Sequence, residues 1–286
     1  MGRVIAVANQ KGGVAKTTTV GSLGAAFVLR GLRVLLVDLD PQSSLTFSLG
    51  IDPDVVEYST ADVVRGEVPL SASRLRTSEG MDLVPSTIDL LAAEAMLLPA
   101  PQREFVLRRS LEEVLSAYDV VLLDCSPSLG LLTLNALAAA DEVLVPLQCE
   151  MLSHRGVGQL LDTVADVHRL LNPRLRVRGL LPTMYDKRST HARAVLGDVK
   201  RRYRVPVLSP IPRSVKFAEA PSVGTTIIAA EPSSSGARAY LRIADTLLRA
   251  WRFGGRRVAP NRTSFSTGQL RTHAVADGGE PAGAAG

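Results

Sequence analysis

Residues 3–29 carry the pattern that most restricts how this chain can fold. Arg3-Val4-Ile5-Ala6-Val7-Ala8 is a short apolar, β-branched run that reads as a buried strand. Asn9-Gln10-Lys11-Gly12-Gly13-Val14-Ala15-Lys16-Thr17-Thr18-Thr19 follows, and Val20 to Leu29 then carries helix formers with apolar residues at helical spacing. Strand, glycine loop and helix in direct succession make a cradle for an anion. Two adjacent glycines let the backbone curl so that its N–H groups converge. The helix start adds partial positive charge and Lys16 a full one. Thr17 offers a hydroxyl where the Mg²⁺ of a nucleotide would sit. Ala15 carries a methyl that disfavours positive φ, so position 15 is expected in an ordinary conformation.

The acids that such a loop needs stand at the ends of further apolar runs. Arg33 to Asp38 reads as a second buried strand, ending in Asp38-Leu39-Asp40-Pro41-Gln42, where Pro41 stops it. Strands of a parallel sheet deliver functional residues at their C-terminal ends, which brings Asp40 beside the loop. Asp119-Val120-Val121-Leu122-Leu123-Asp124 has the same form, an apolar run closed by one acid. In phosphate-loop enzymes that acid holds the water shell of the metal. Taken singly, either acid also reads as a plain cap.

Elsewhere the spacing predicts a short capped helix at Thr60 to Gly66, a strand at Met81 to Pro85 and a helix near Ile88 to Leu98. An amphipathic helix is expected over Gln102 to Tyr118, with Phe105, Leu107, Leu111, Val114 and Leu115 on its apolar side. Further expected elements are a strand at Glu142 to Pro146, a helix at Leu152 to Leu171, a strand at Arg176 to Tyr185, and helices at Thr190 to Tyr203 and Ser235 to Trp251. Strands alternating with helices indicate an α/β fold, a doubly wound, mostly parallel sheet flanked by helices. A single domain is expected over residues 1–252. The Gly/Ala-rich, basic tail at 253–286 lacks large apolar groups and is expected to be disordered.

Charge is unevenly distributed, and that narrows the partner. Residues 1–168 hold 12 Lys/Arg against 21 Asp/Glu, whereas residues 169–216 hold 13 Lys/Arg and only Asp186 and Asp198. A one-sided basic block points to a polyanion. Its candidate contacts are Arg188, Arg193, Lys200, Arg201, Arg202, Arg213 and Lys216. Aromatic residues make up 4% of the chain, so base stacking on single strands is not expected. No helix-turn-helix is evident. Phosphate contacts to duplex DNA without sequence preference fit best, and a solvated basic helix face is the plainer reading. Cys125 and Cys149 lie in apolar surroundings without zinc spacing, and the four histidines form no cluster. With no signal peptide and no apolar run of about 20 residues, the expectation is a soluble, cytoplasmic protein.

The loop does not follow G-x-x-x-x-G-K-[ST], because Gln10 and Ala15 stand at the two glycines. It resembles instead the deviant Walker A loop, K-G-G-x-x-K-[ST], of the family that holds ParA-type partition ATPases and MinD-type ATPases. Asp38-Leu39-Asp40-Pro41-Gln42 strongly resembles the ParA-type members. So do Leu180 to Arg188 and Ile211-Pro212-Arg213 through Glu219-Ala220-Pro221. Ser126 departs from the family's usual switch sequence after Asp124.

This resemblance implies ATP and Mg²⁺ as ligands and an ATP-bound homodimer. Lys11 would reach the partner subunit's phosphates. Gly12, Gly13, Val14, Ala15, Lys16, Thr17 and Thr18 would form the phosphate cradle. Thr17, Asp40 and Asp124 would serve the metal, and Lys11, Lys16 and Asp40 would serve hydrolysis, Asp40 by positioning the water. Met184 and Pro212 would pack on the base. Asn135 would touch the switch. The implied function is chromosome or plasmid segregation. A nucleoid-associated ATPase of weak intrinsic activity would bind DNA as the ATP dimer and be released by a ParB-type centromere-binding partner, with no stable membrane association. The alternative is a MinD-type membrane-cycling switch, for which Leu247 to Phe253 would supply an arginine-rich apolar end.

Overall fold

The computed structural model describes residues 2–150 and 153–251, the side chains of 153–155 excepted. The expected tail at 253–286 lies outside the described residues. In chain order the elements are β1 (Arg3–Val7), α1 (Lys16–Val28), β2 (Val34–Leu39), α2 (Ser44–Ser48), α3 (Thr60–Arg65), β3 (Leu75–Arg76), β4 (Asp82–Val84), α4 (Leu90–Leu97) and α5 (Val106–Glu112). They continue with β5 (Val120–Cys125), α6 (Leu131–Ala139), β6 (Glu142–Gln148), α7 (Ser153–Leu170), β7 (Arg176–Thr183), α8 (Thr190–Tyr203), α9 (Lys216–Ser222), α10 (Ile227–Ala230) and α11 (Ser235–Ala250).

Seven strands form one sheet in the order β3-β4-β2-β5-β1-β6-β7. All neighbours are parallel except β3, which runs antiparallel to β4 at the edge. Burial on both faces explains why the central strands read as continuous apolar runs. Along β5, Val121, Leu123 and Cys125 face a core shared with α5, α6, α7 and α8. Val120 and Leu122 face a second core built from α1, α10 and α11. Each such side chain contributes roughly 1.5–3 kcal/mol on burial. Helix α1 lies close on the sheet because Gly24 has no side chain. A Cβ there would stand 2.6 Å from Met81 Sδ and 2.9 Å from a Leu36 methyl.

The expected elements are present with one correction. Gln102 to Tyr118 is not one helix. Gln102 sits at φ 54°, a 3-10 turn covers Arg103–Phe105, α5 ends at Glu112 and a second 3-10 turn covers Leu115–Ala117. The cause is tertiary. Asn135 on α6 accepts from Leu107 N at 3.1 Å and donates to the Arg103 carbonyl at 2.8 Å, so it starts α5 where local sequence would have continued a longer helix. Asn135 therefore braces α5, and its hydrogen bonds do not run to the segment after Asp124.

Beyond α8 the chain returns along the outer edge of β7, with parallel bridges at Leu180–Val207 and Tyr185–Pro212. At the other end of the fold, Trp251 packs on Phe27 with ring centroids 5.6 Å apart and donates to Glu142 Oε2 at 2.9 Å.

Candidate phosphate-binding site

Parallel pairing sets Asp38 opposite Asp124 and Val7 opposite Asp124 across β2, β5 and β1. The loop between β1 and α1 therefore lies over the strand ends that carry both candidate acids. Asn9, 3% exposed, braces this loop by donating to the Pro146 carbonyl at 2.6 Å and accepting from Lys11 N at 3.0 Å. Thr183 at the end of β7 donates to the Val14 carbonyl at 3.0 Å.

The loop takes positive φ twice, at Gly13 (71°) and at Ala15 (66°, ψ 38°). The expectation of an ordinary conformation at position 15 is thus corrected. Ala15 is the N-cap of α1 in the left-handed region, where a β-carbon costs about 1–2 kcal/mol. The turn into the helix is sharp, and the bonds on Asn9 and Val14 hold it.

A groove of about 750 Å³ opens beside the loop. Gly12, Gly13, Ala15, Lys16, Thr17, Thr18, Asp40, Met184, Pro212 and Arg213 line it. Val14 does not, because its side chain is turned into the protein and is 1% exposed. Lys11 does not line it either. Its side chain runs to the far side of the loop, where Nζ meets Glu150 Oε2 at 2.6 Å and Gln148 Oε1 at 3.3 Å. A smaller cavity of about 300 Å³ lies on that side, lined by Asn9, Lys11, Gln148 and Gln159 among others.

Lys16 is 7% exposed, and its ammonium donates to the Lys11 carbonyl at 3.2 Å. Burial lowers its pKa, against the opposing pull of Asp124, Cys125 and Asp40. Asp124 is wholly buried, and neither carboxylate oxygen has a hydrogen-bond partner of good geometry. Burial pushes its pKa well up and Asp38 pushes it further, while nearby Thr17 and Lys16 draw it back. A buried acid with two orphaned oxygens beside a lysine and a threonine is short of a cation. Among the described residues no three His, Cys, Asp or Glu side chains converge to hold a metal ion. That suits Mg²⁺, which takes one or two carboxylates and completes its shell with water and phosphate oxygens.

Asp40 accepts from Gln42 N at 3.0 Å and remains on the groove wall. Asp38, which sequence reading gave no role, is its support. Wholly buried, it accepts from Asp40 N at 3.1 Å, Thr46 N at 2.9 Å and Thr46 Oγ1 at 2.7 Å. Desolvation still holds its pKa up at about 6. Thr183 and Asn9 were likewise without a role. Both act through partners more than 130 positions away, and no local pattern signals that.

The basic candidates divide. Arg188, Arg193, Lys200 and Arg202 are exposed, as is Arg213, and none forms an ion pair among the described residues. Arg188 and Arg213 flank the Tyr185–Pro212 bridge at the groove end of the sheet. Lys200, Arg201 and Arg202 lie in the last turn of the 14-residue helix α8, roughly 20 Å along its axis from its start. Arg201 pairs with Asp198. Lys216 is committed to Glu219 at 2.9 Å and Glu231 at 3.1 Å.

Comparison with known proteins agrees with this geometry. A family model described as an AAA domain matches residues 2–177. The sporulation initiation inhibitor protein Soj of Bacillus subtilis is 46% identical over 246 residues, spanning 85% of this chain and 97% of that protein. The chromosome partitioning protein ParA of Caulobacter vibrioides is 42% identical over 246 residues, spanning 85% and 92%. A crystal structure described as cobyrinic acid a,c-diamide synthase from Mycobacterium smegmatis, with bound ADP and magnesium, is 55% identical. It superposes with a TM-score of 0.80 over 89% of this chain and 97% of that one. Phosphate loop, strand-end acids and similarity over 85% of the chain agree: this chain belongs to the ParA/MinD superfamily of P-loop partition ATPases.

Proposed function

We propose that this protein is an ATP-switched DNA-segregation ATPase. The observation that carries the reading is the position of Lys11 outside its own groove. Lys16, Thr17 and the loop amides furnish one phosphate cradle, and Lys11 projects from the other side of the loop, where in this reading it would meet the phosphates of a second subunit. In this reading ATP joins two copies of the chain. The dimer then meets duplex DNA through Arg188, Arg213 and the exposed cations of α8.

Mg²⁺ would supply charge neutralisation between the β- and γ-phosphates. Thr17 and Asp124 are the residues that would hold it, and the presence of ADP and magnesium in the M. smegmatis structure supports the choice of cofactor. Lys16 neutralises phosphate charge, Asp40 orients the attacking water, and Met184 and Pro212 pack on the base. The groove offers no strong base beyond Asp40, which agrees with slow turnover that a ParB-type partner accelerates. The partner is argued from the names of the relatives, Soj and ParA. A cytoplasmic, nucleoid-associated location follows from DNA binding. Among the described residues no helix is long and apolar enough to cross a membrane.

Two other readings are weaker. A membrane-cycling switch needs its C-terminal apolar group free for lipid, yet Trp251 is engaged with Phe27 and Glu142. The name of the M. smegmatis neighbour favours an amide synthase, a reaction that activates a carboxylate with ATP and takes its nitrogen from free ammonia or from ammonia released when a cysteine thiolate attacks the side-chain amide of glutamine. Neither cysteine suits the thiolate role. Burial pushes Cys125 far up and Cys149 up to about 11.

The test is DNA binding across a salt series with ATP, ADP and no nucleotide. Tight binding with a steep salt slope is expected only with ATP, with a loss of ~10³-fold or more from low to moderate salt for half a dozen phosphate contacts. DNA binding that persists unchanged in Lys16→Ala would sink the mechanism.

A further inference from the structure

One buried acid in the described fold takes no part in the chemistry proposed above. Glu79 sits in the tight turn between β3 and β4, and its hydrogen-bond partner is 147 positions away along the chain. Thr77 N and Thr77 Oγ1 close that turn onto the Met81 carbonyl at 2.9 and 3.0 Å, and Gly80 takes φ +80° within it. The turn thereby holds the carboxylate inward, where it is 3% exposed. Both oxygens are used on a single distant residue. Oε1 accepts from Thr226 N at 2.6 Å, and Oε2 accepts from Thr226 Oγ1 at 2.6 Å. Thr226 in turn caps α10, its hydroxyl accepting from Ile228 N at 3.2 Å.

Thr226 is the rear end of a strap. Residues 212–226 leave the Tyr185–Pro212 bridge, pass through α9 and close at α10, and Pro212, Arg213, Phe217, Ala220, Thr225 and Thr226 all line the groove. The front of the strap is fixed by main-chain bonds, Ile211 N to the Pro182 carbonyl at 2.8 Å and Tyr185 N to the Ile211 carbonyl at 2.9 Å. Just before Thr226 it crosses the segment that follows α2, glycine on glycine. A Cβ on Gly224 would stand 2.8 Å from Gly50 Cα, so contact there is already at its limit. Behind it, Thr226 Cγ2 faces Gly21 of α1, where an added Cβ would stand 3.4 Å from it. The Glu79 carboxylate is thus the side-chain tie that seats the rear of the strap, and a charge-assisted pair of short bonds is the strong kind.

We infer that Glu79 is a positioning residue for the nucleotide. By holding Thr226 it fixes the strap that forms the base-side wall, and so sets affinity for the nucleoside half of ATP without touching the phosphates. The inference rests on the reading of the groove as an ATP site. It separates two halves of that site. The phosphate cradle is built by β1 and α1 and braced by Asn9 and Thr183. The base wall is built by residues 212–226 and braced by Glu79. Loss of the tie should weaken one half and spare the other.

The test uses the full chain with Glu79→Ala, Thr226→Val, the double variant and Glu79→Gln. ATP binding, competition by inorganic tripolyphosphate, and steady-state hydrolysis are measured, with a thermal melt for each. About tenfold weaker ATP binding is expected in Glu79→Ala and a smaller loss in Thr226→Val, which keeps the main-chain bond to Oε1, and the double variant should lose less than the sum of the two singles, since they share one contact. In the two Glu79 variants, whose side chain does not line the groove, tripolyphosphate affinity and turnover at saturating ATP should stay within about twofold of wild type. Glu79→Gln accepts from Thr226 N and donates to the hydroxyl, and should recover most of the affinity. Should Glu79→Ala fold poorly, Thr226→Val and Glu79→Gln still decide the matter. Unchanged ATP affinity in a folded Thr226→Val, or equal loss of ATP and tripolyphosphate binding, overturns the inference. Failure of the wild-type chain to bind ATP would overturn the function itself.

Discussion

Lys11 Nζ and Glu150 Oε2 stand 2.6 Å apart across the phosphate loop and the end of β6, on the side away from the groove. Both side chains are substantially exposed, 37% and 60%, and an exposed pair of this kind contributes at most about 1 kcal/mol. The contact is therefore strong enough to park Lys11 in the free chain and weak enough to be exchanged for a phosphate. Glu150→Gln should leave the melting temperature unchanged while strengthening ATP-dependent dimerisation by up to about fivefold. Lys11→Ala should abolish that dimer and leave ATP binding by the single chain largely intact. Light scattering with and without ATP reads both.

Ala15 pays for its left-handed conformation with its β-carbon. Ala15→Gly removes that cost but gives the unfolded chain more freedom, so the net gain is about 1 kcal/mol or less. A melt in the absence of nucleotide should rise by roughly 1–3 °C, with ATP affinity within a few-fold of wild type. A fall in stability would mean that position 15 is not left-handed in solution.

Asp124 shows a conflict between stability and chemistry. Its folded-state pKa is raised by burial and by Asp38, so its contribution to stability is present below the unfolded carboxylate pKa. That contribution is lost as pH rises through the folded value. At neutral pH the bare charge is a cost. Asp124→Asn should raise the melting temperature of the nucleotide-free chain, yet reduce Mg²⁺-dependent ATP hydrolysis by ~10²-fold or more. Calorimetry and a phosphate-release assay, each with and without EDTA, check the two signs.

The basic surface makes a discriminating prediction. Arg188→Ala and Arg213→Ala should each weaken ATP-dependent DNA binding and reduce the salt slope by about one. Lys216→Ala should change neither, because Lys216 already serves Glu219 and Glu231. A filter-binding series on unrelated duplexes should show the same losses for every sequence. Sequence-dependent losses would mean base readout instead.

Glu79 gives a pH signature. Burial raises its pKa despite two hydrogen bonds from Thr226. Its contribution to stability is therefore complete below the unfolded pKa and declines as pH rises through the folded one. Glu79→Gln carries no such term. Melting curves should show the variant gaining on wild type between acidic and neutral pH, with the difference levelling above the folded pKa. A constant difference across that range would contradict the shift.

Local sequence was a sound guide wherever an element is specified by its own residues. The buried runs at β1, β2, β5 and β6 carry apolar side chains for both faces of the sheet, so they needed no partner to be recognised. Helix α8 begins and ends at Thr190 and Tyr203 as its pattern predicts, since Ser189 caps it by accepting from Ala192 N at 3.1 Å. Helix α3 is bounded by Ser59 and by Gly66 at φ 75°. Where a distant residue intervenes, the pattern misleads. The helix expected over residues 102–118 is broken by Asn135, and Ala15 is driven to positive φ by the closure of the loop around it.

The candidate site divides along the same line. The run Lys11 to Thr19, with Asp40 and Asp124, was legible in the sequence as a candidate site: a phosphate cradle needs glycines, a lysine and a threonine in contiguous order, and parallel strands deliver acids to one edge. Tertiary structure alone decided which lysine lines the groove, because Lys11 and Lys16 are chemically alike and only the direction of each side chain separates them. It also decided that Lys216 is already paired and that Glu79 holds Thr226. Those relationships join residues up to 147 positions apart, and an energy that exists only after the chain has closed on itself leaves no periodicity to read.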